Sequence, residues 1–277
     1  MCNEATKILI ALSILLPACT GDNNEKQAEA LVAEAQTALD RGDFEQAIVL
    51  TDSVKNSCPR AIEQRKEALH IAVRANEGLS VRRLAQSDSL LVALAARADS
   101  LKGLVKFVSN PVEGYYVAAG ANPAATYSQT GVQPRLSPEG DFYLISTLKG
   151  RNLGSTSITL SSAAGSASTS EVAFDGERND RSQGGEVITF IAAECDSVGK
   201  FVFNNPSVTY SLTFNGKGTY TTPLSQSTVR DIATLYDYSL TLRRAKVANL
   251  EKQRLTRAVE IARSQAARTY VEETPDK

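Results

Sequence analysis

The length, composition and charge of the chain limit its class of function. The chain has 277 residues, which allows one or two domains, and 42% of them are hydrophobic, which allows a sizeable core. Its 30 basic and 31 acidic residues give a formal net charge of −1, so it lacks the basic excess that binding to nucleic-acid phosphates requires. Because His70 is the single histidine, most histidine metal sites and most acid–base catalysis at neutral pH are excluded. We therefore expect no nucleic-acid partner, no metal and no cofactor.

Residues 1–18 are predicted to be a signal peptide that is removed. Lys7 supplies a short positive region, and residues 8–16 form an apolar run. As a helix this run would span about 13 Å, which is too short to cross a bilayer. A short apolar segment behind a positive charge is typical of a processed export signal.

The end of this segment resembles the lipobox of bacterial lipoproteins. Leu16, Pro17 and Ala18 precede Cys19, which places a leucine three positions before the cysteine and a small residue directly before it. The resemblance implies cleavage after residue 18 and diacylation of the Cys19 thiol, with residues 19–25 as a lipidated polar leash. A lipid bilayer is then one partner of the chain. The alternative is an ordinary secretory signal that is cut elsewhere.

Two cysteines, Cys58 and Cys195, remain after processing. The exported compartment would permit a disulfide. The two residues lie in different predicted domains, so two small buried side chains are the favoured interpretation, and their pairing is left open.

Residues 26–109 are predicted to form a helical hairpin and then a long helix. Apolar residues recur at helical spacing on both sides of a turn at Arg41–Phe44, and the second helix ends before Cys58. This turn and the following Ala-Ile resemble one tetratricopeptide repeat. The long helix is expected to run to about Val108, with a kink or break at Gly78. Its second half carries an apolar heptad made of Leu84, Leu91, Leu94, Ala98, Leu101, Val105 and Val108.

Residues 110–224 are predicted to form an antiparallel β sandwich or barrel. Apolar residues alternate strictly from Val208 to Phe214, and Asn215-Gly216 marks a tight turn into a return strand at 218–222. Residues 161–170 are rich in small polar residues and are expected to be a mobile loop. Further strands are predicted at 142–147, 155–160, 171–174, 187–192 and 200–204.

The C-terminal region returns to helix over residues 225–270, and residues 271–277 are expected to be a tail. Thr228 and Asp231 fit a capping box at the start of this helix. We expect the helix to pair with residues 79–109 as an antiparallel, coiled-coil-like stalk. The predicted fold class is α+β, in which a helical hairpin and a two-helix stalk bracket a β head.

Tyrosines are the best candidates for a binding surface on the β head. Of Tyr115, Tyr116, Tyr127, Tyr143, Tyr210 and Tyr220, the adjacent pair Tyr115 and Tyr116 is the favoured surface site, whereas Tyr210 belongs to the apolar side of its strand. Tyrosines can anchor a protein partner or stack on sugar rings.

The tripeptide Asp-Ser-Leu or Asp-Ser-Val occurs four times, at Ser53, Ser89, Ser100 and Ser197. It resembles the acceptor motif for O-linked glycans on exported Bacteroidetes proteins, which implies glycosylation of these serines. The alternative is that Asp and Ser simply occupy solvent positions of helices.

The whole arrangement is similar to Bacteroidetes-type envelope lipoproteins of unassigned function. The similarity depends on the lipobox, Gly42-Asp43-Phe44, Asp52-Ser53-Val54 before Cys58-Pro59, and the helix–β–helix order. It implies no catalytic residue. We expect a non-enzymatic binding or scaffolding protein whose partner is an envelope protein. The outer membrane is favoured over the inner one. Whether the chain faces the periplasm or the cell surface is left open. The first alternative is a glycan- or peptidoglycan-binding module, which predicts an exposed tyrosine strip. The second is a hydrolase, which predicts converging carboxylates in the head.

Overall fold

Helices and two antiparallel sheets make up the computed structural model, which describes residues 21–111, 113–182 and 184–271. The α+β fold class, with N-terminal helices followed by a β region, is confirmed. Two compact units divide the chain: the first contains the residues up to Ala85 together with those from Gln253 onward, and the second contains Gln86–Lys252. The signal peptide, the lipobox and Cys19 lie outside the described residues.

The first unit is built on a helical hairpin of α1 (Gly21–Asp40) and α2 (Phe44–Ser57). Gly42 makes the turn with a φ of +74°, a left-handed conformation that glycine adopts at little cost. The Asp43 side chain then caps α2 by accepting a hydrogen bond from the Gln46 amide at 3.2 Å. Residues 21–25, which were expected to be a leash, instead form the first turns of α1. Small side chains dominate the core of this unit, to which residues after the hairpin also contribute: Ala28, Ala35, Ala38, Ala47, Ala61, Ala68 and Ala75 are all buried.

Helix α3 (Ile62–Lys102) is continuous through Gly78, so the predicted break there is wrong. A Cβ atom on Gly78 would lie 2.4 Å from the Phe44 ring. The glycine therefore makes room for the aromatic residue of the hairpin turn rather than interrupting the helix. The helix also ends six residues earlier than expected, because residues 105–108 form a strand that pairs with residues 115–118.

Ten strands of the second unit form two antiparallel sheets. The six-stranded sheet has the order β1-β2-β3-β4-β8-β7, and the four-stranded sheet has the order β10-β9-β5-β6. The strands are β1 Val105–Val108, β2 Tyr115–Ala118, β3 Gly131–Leu136, β4 Phe142–Lys149, β5 Ser157–Ser162, β6 Gly165–Ser168, β7 Asn179–Asp180, β8 Gly185–Ile191, β9 Tyr210–Asn215 and β10 Thr219–Leu224. The unit also contains a 3-10 helix, Pro123–Tyr127, and helix α4, Ala193–Asn204.

Three local predictions in this region are wrong. Residues 200–204 belong to α4, because Cys195, Val198 and Val202 are all buried at helical spacing. Residues 171–174 are not a strand; Val172 makes one backbone hydrogen bond to Thr156 at 2.8 Å. The expected loop at 161–170 contains β6, which pairs with β5 as a hairpin.

The last helix, α5 (Gln226–Val271), pairs with α3 inside the second unit. Ser87 Oγ donates to the Ala248 carbonyl at 3.1 Å, Asp88 pairs with Lys252 at 2.7 Å, and Arg97 pairs with Asp237. Residue numbers rise on one helix as they fall on the other, so the two helices are antiparallel.

Ser225, and not the predicted Thr228, caps the start of α5. Its hydroxyl accepts a hydrogen bond from the Thr228 amide at 3.1 Å. The predicted capping box is therefore wrong, and the Asp231 carboxylate does not serve the helix end.

Candidate functional site

Alternation along the six-stranded sheet separates a core face from an outer face. Leu136, Phe142 and Leu144 are buried in the core between the sheets. Their neighbours Arg135 and Tyr143, which are cross-strand partners on β3 and β4, therefore lie on the outer face. Ile191 of β8 is the next partner in this row and is 46% exposed.

We name Tyr115, Tyr127, Arg135 and Tyr143 the Arg135 cluster. The Arg135 guanidinium carbon lies 3.9 Å from the centre of the Tyr115 ring and 5.8 Å from that of the Tyr127 ring. Tyr127 is 42% exposed, while Arg135 is only 5% exposed. The cluster is therefore a partly open aromatic surface with a cation at its centre, stabilised by cation–π contacts.

The hydrogen-bond partners of Arg135 are neutral. Its Nε donates to Gln133 Oε1 and its Nη2 donates to Thr126 Oγ1, both at 3.1 Å. No carboxylate pairs with Arg135 among the residues that the structure describes. Burial raises the pKa of the Tyr143 hydroxyl, and the Arg135 charge beside it offsets part of that rise. A buried guanidinium without an anion is an unusual and costly arrangement.

The 3-10 helix holds the cluster in place over β3 and β4. The Asn122 side chain caps it by accepting from the Ala124 amide at 3.1 Å. Thr147 Oγ1 donates to the Thr126 carbonyl at 2.6 Å, and Gln133 Nε2 donates to the Asn122 carbonyl at 3.1 Å. These bonds fix Thr126 and Gln133, which in turn orient the guanidinium.

A polar cavity of about 380 Å³ adjoins the cluster, and we name it the β3-edge cavity. Thr126 and Gln133 line it as well as contacting Arg135. Strand β2 pairs with β3 at Tyr116 and Leu136, which is the last residue of β3. The first residue of β3, Gly131, lies at the other end of the strand and borders the cavity. The opposite wall is the start of α5, with Ser227, Thr228 and Asp231.

Asp231 is the acidic residue of this cavity. Burial raises the pKa of its carboxyl, an effect that Arg230 opposes. Within the described parts of the chain, its side chain has neither a hydrogen-bond nor an ion-pair partner. Among the residues whose structure is described, no basic side chain lines the cavity.

The structure separates the two predicted tyrosines. Tyr115 belongs to the Arg135 cluster, whereas Tyr116 packs edge-on against Phe107 at 5.1 Å and Tyr238 at 6.4 Å, next to the core. Consecutive residues of a strand face opposite sides, so the pair cannot form one surface. Tyr116 is half-buried, as Tyr115 is, and its role as a binding residue stays a prediction.

The four serines of the Asp-Ser motifs are divided between the two units, with Ser53 in the first and the other three in the second. Ser89, Ser100 and Ser197 are exposed, and Ser53 is half-buried. Ser53 Oγ donates to the Val49 carbonyl at 2.9 Å, Ser100 Oγ to the Arg97 carbonyl at 2.7 Å, and Ser197 Oγ to the Ser168 carbonyl at 2.7 Å. Their glycosylation stays a prediction.

Cysteines and other reactive groups do not converge on the cluster. Cys58 and Cys195 are buried free thiols, one in each unit. Burial raises the pKa of Cys58 and raises that of Cys195 to about 12. In the ranges that the structure describes, no group of three or more His, Cys, Asp or Glu side chains could hold a metal ion. In the same ranges, no helix is both long and apolar enough to span a membrane.

Glu186 of β8 is a buried carboxylate with a structural role. It is 2% exposed and accepts hydrogen bonds from the Gly154 amide at 2.6 Å, the Ser155 amide at 2.9 Å and the Ser155 hydroxyl. Burial alone would raise the pKa of Glu186, but these hydrogen bonds outweigh it and lower the pKa. The carboxylate thus fixes the chain that leads into β5.

We expect Glu186→Ala to destabilise the chain by about 3 kcal/mol, because several buried donors lose their acceptor together. Urea unfolding at neutral pH measures this difference. Since the folded chain holds the pKa below its unfolded value, the stabilisation is complete above the ordinary glutamate pKa and is lost as the pH falls through the folded pKa. The gap between variant and parent should therefore narrow in acid.

The matched control is Glu177→Ala, which alters an exposed turn of the same unit. It should change the unfolding free energy by less than about 0.5 kcal/mol. Equal losses for the two variants would show that the Glu186 network does not stabilise the sheet.

Comparison with known proteins does not place this fold in a family. No protein-family model matches the chain, and no curated protein or solved structure matches it either.

Proposed function

We propose that the protein is a membrane-anchored lipoprotein of the bacterial cell envelope that acts as a non-enzymatic binding or scaffolding protein. The Arg135 cluster is its recognition surface. The observation that carries this proposal is an arginine, Arg135, that is 5% exposed, stacks its guanidinium on tyrosine rings and has no carboxylate partner in the described chain. Tyrosine and arginine, together with tryptophan, are enriched where binding energy concentrates in protein interfaces.

The chemistry of the cluster favours a protein partner with an exposed acidic group. Tyr127 and Ile191 offer apolar area, at 42% and 46% exposure. Arg135 offers a positive charge that the surrounding side chains leave without a counter-ion. A partner carboxylate placed over the tyrosines would supply that counter-ion, and desolvation by the partner would strengthen the pairing.

Membrane attachment rests on the sequence. Cys19 and the lipobox residues before it support acylation after export, which would place the chain at an envelope membrane, the outer one by our expectation. Multiple acyl chains on one cysteine give stable anchoring, whereas one chain alone binds only marginally. The partner would then be another envelope protein.

A glycan- or peptidoglycan-binding module is the second candidate, and one observation favours it. Tyr115, Tyr127 and Tyr143 share the outer face around Arg135, which approaches the tyrosine strip that this function predicts. However, the Arg135 guanidinium already stacks on Tyr115 at 3.9 Å. Only part of the strip is therefore open to a sugar ring, and the protein-binding proposal is preferred.

Photo-crosslinking in cells tests the proposal. A photoreactive phenylalanine analogue at position 127 should capture one defined protein, while the same analogue at the exposed Thr221 on the four-stranded sheet should not. Adding Arg135→Met to the position-127 variant should reduce the yield about tenfold or more, as expected for removal of a central anchor. Thermal unfolding of this variant would confirm that it still folds.

Three results would count against the proposal. An adduct that is saccharide rather than protein would favour the second candidate. Equal capture at positions 127 and 221, or capture that persists in a folded Arg135→Met variant, would remove the Arg135 cluster as the recognition surface.

A further inference from the structure

The β3-edge cavity combines two electrostatic features of opposite sign. Asp231 contributes a carboxylate that no described residue pairs with. The same wall contains the start of α5, whose partial positive charge of about half an elementary charge is smaller than the charge of the carboxylate. The remaining lining includes uncharged amides and hydroxyls, among them Asn122, Gln129 and Thr228.

Several of these neutral groups are already engaged within the chain. Gln133 Nε2 donates to the Asn122 carbonyl, and Ser225 holds the Thr228 amide. These bonds make the wall rigid without using the Asp231 carboxylate. The half-buried Asp231 carboxylate, which has no protein partner in the described chain, is therefore available to a ligand that donates hydrogen bonds.

We propose that the β3-edge cavity binds a neutral polyhydroxylated ligand, a single saccharide unit, whose hydroxyl groups donate to Asp231. An anion would be repelled by the carboxylate, and among the described residues no second carboxylate lines the cavity that could help Asp231 hold a metal ion. A sugar hydroxyl both donates and accepts, so it suits a wall of mixed amides and hydroxyls. The cavity volume of about 380 Å³ lies in the roughly 300–1,000 Å³ range of small-molecule sites.

This site is separate in function from the protein-binding surface proposed above, although the two share Thr126 and Gln133. Asp231 contacts no member of the Arg135 cluster by hydrogen bond or ion pair. Asp231→Asn should therefore leave crosslinking at position 127 unchanged, and the two proposals can fail independently.

Saturation-transfer NMR on the full mature chain tests the inference. The probes are glucose, galactose, mannose and N-acetylglucosamine, with acetate and ethanolammonium as charged probes. At least one sugar should receive saturation from the parent chain, and Asp231→Asn should weaken its apparent affinity about 10- to 100-fold, the effect of losing hydrogen bonds to a charged acceptor.

Asp141→Asn is the matched control, because Asp141 is exposed and lies in the same unit. It should bind the sugar like the parent chain. Asp231→Asn should unfold at the same temperature as the parent or a higher one, so lost binding would not reflect lost folding. The inference is overturned if no sugar receives saturation, if Asp231→Asn binds like the parent, or if only a charged probe binds.

Discussion

Cys19→Ala is expected to abolish attachment of the protein to the membrane. Alanine has no thiol, so the residue after the predicted cleavage position could not carry the diacyl group. The variant should appear in the soluble fraction or as unprocessed precursor, where the parent chain is found with membranes. Cell fractionation together with metabolic labelling by an alkyne-tagged palmitate measures both the location and the acylation, and both should be lost completely.

Cys58→Ala is the control for this experiment. Cys58 is a buried free thiol, and burial raises its pKa, so it is a poor acyl acceptor. This variant should keep its label and its membrane fraction. If Cys19→Ala instead remained labelled and membrane-bound, the lipobox interpretation would be wrong. The proposed location in the envelope would then lose its support.

Strong local patterns predicted some elements correctly. A hairpin joins β9 (Tyr210–Asn215) to β10 (Thr219–Leu224) as predicted, although Asn215 itself still pairs with Thr219 and the loop is residues 216–218. Gly42 has the left-handed conformation that its position in the hairpin turn suggests. At Gly42 a single residue determines the backbone by itself. At Gly216 a distant segment also matters, because a Cβ atom there would lie 2.6 Å from the Leu153 carbonyl oxygen.

The predictions were less accurate for short segments whose apolar residues fit both a helix and a strand. Val105 and Val108 continue the heptad of α3, yet they lie on β1 because β2 supplies their hydrogen-bond partners. The apolar residues Phe201, Val202 and Phe203 are consecutive, as in a short buried strand, but Val198 and Val202 also share a helical face with Cys195. Tertiary contacts decide between the two periods, and the sequence alone does not contain them.

The candidate site depends on long-range pairing and was therefore mostly missed. Arg135 meets Tyr143 only through the register of β3 on β4, and it meets Tyr127 through the 3-10 helix. Strict alternation along β2 could have separated Tyr115 from Tyr116 in advance. The sequence pattern predicts that Asp231 caps α5, but Ser225 provides the cap instead. The Asp231 carboxylate therefore does not bond to the helix end and lines the cavity.

Leu94→Asp is expected to cause the largest loss of stability among the substitutions considered. Leu94 is 6% exposed on α3, in the stretch between the Ser87–Ala248 and Arg97–Asp237 contacts with α5. Aspartate there removes buried apolar area and either buries a charge without a partner or takes up a proton. We expect a loss of about 4 kcal/mol or more, which corresponds to a fall of roughly 8–16 °C in melting temperature.

Val92→Asp separates the loss of a helix contact from a general effect of aspartate in α3. Val92 lies two residues away on the same helix and is 72% exposed. Aspartate at this position carries the same charge and helix propensity but removes little buried area, so the melting temperature should change by less than about 2 °C. If the two variants melted alike, the apolar seam between α3 and α5 would contribute nothing to stability. The antiparallel pairing in the second unit would then depend on contacts such as the Asp88–Lys252 ion pair, which is half-exposed and of a kind that contributes about 1 kcal/mol at most. Ion pairs this weak could not hold two long helices together. We therefore expect the apolar contacts to dominate and the Leu94 variant to show the far larger loss.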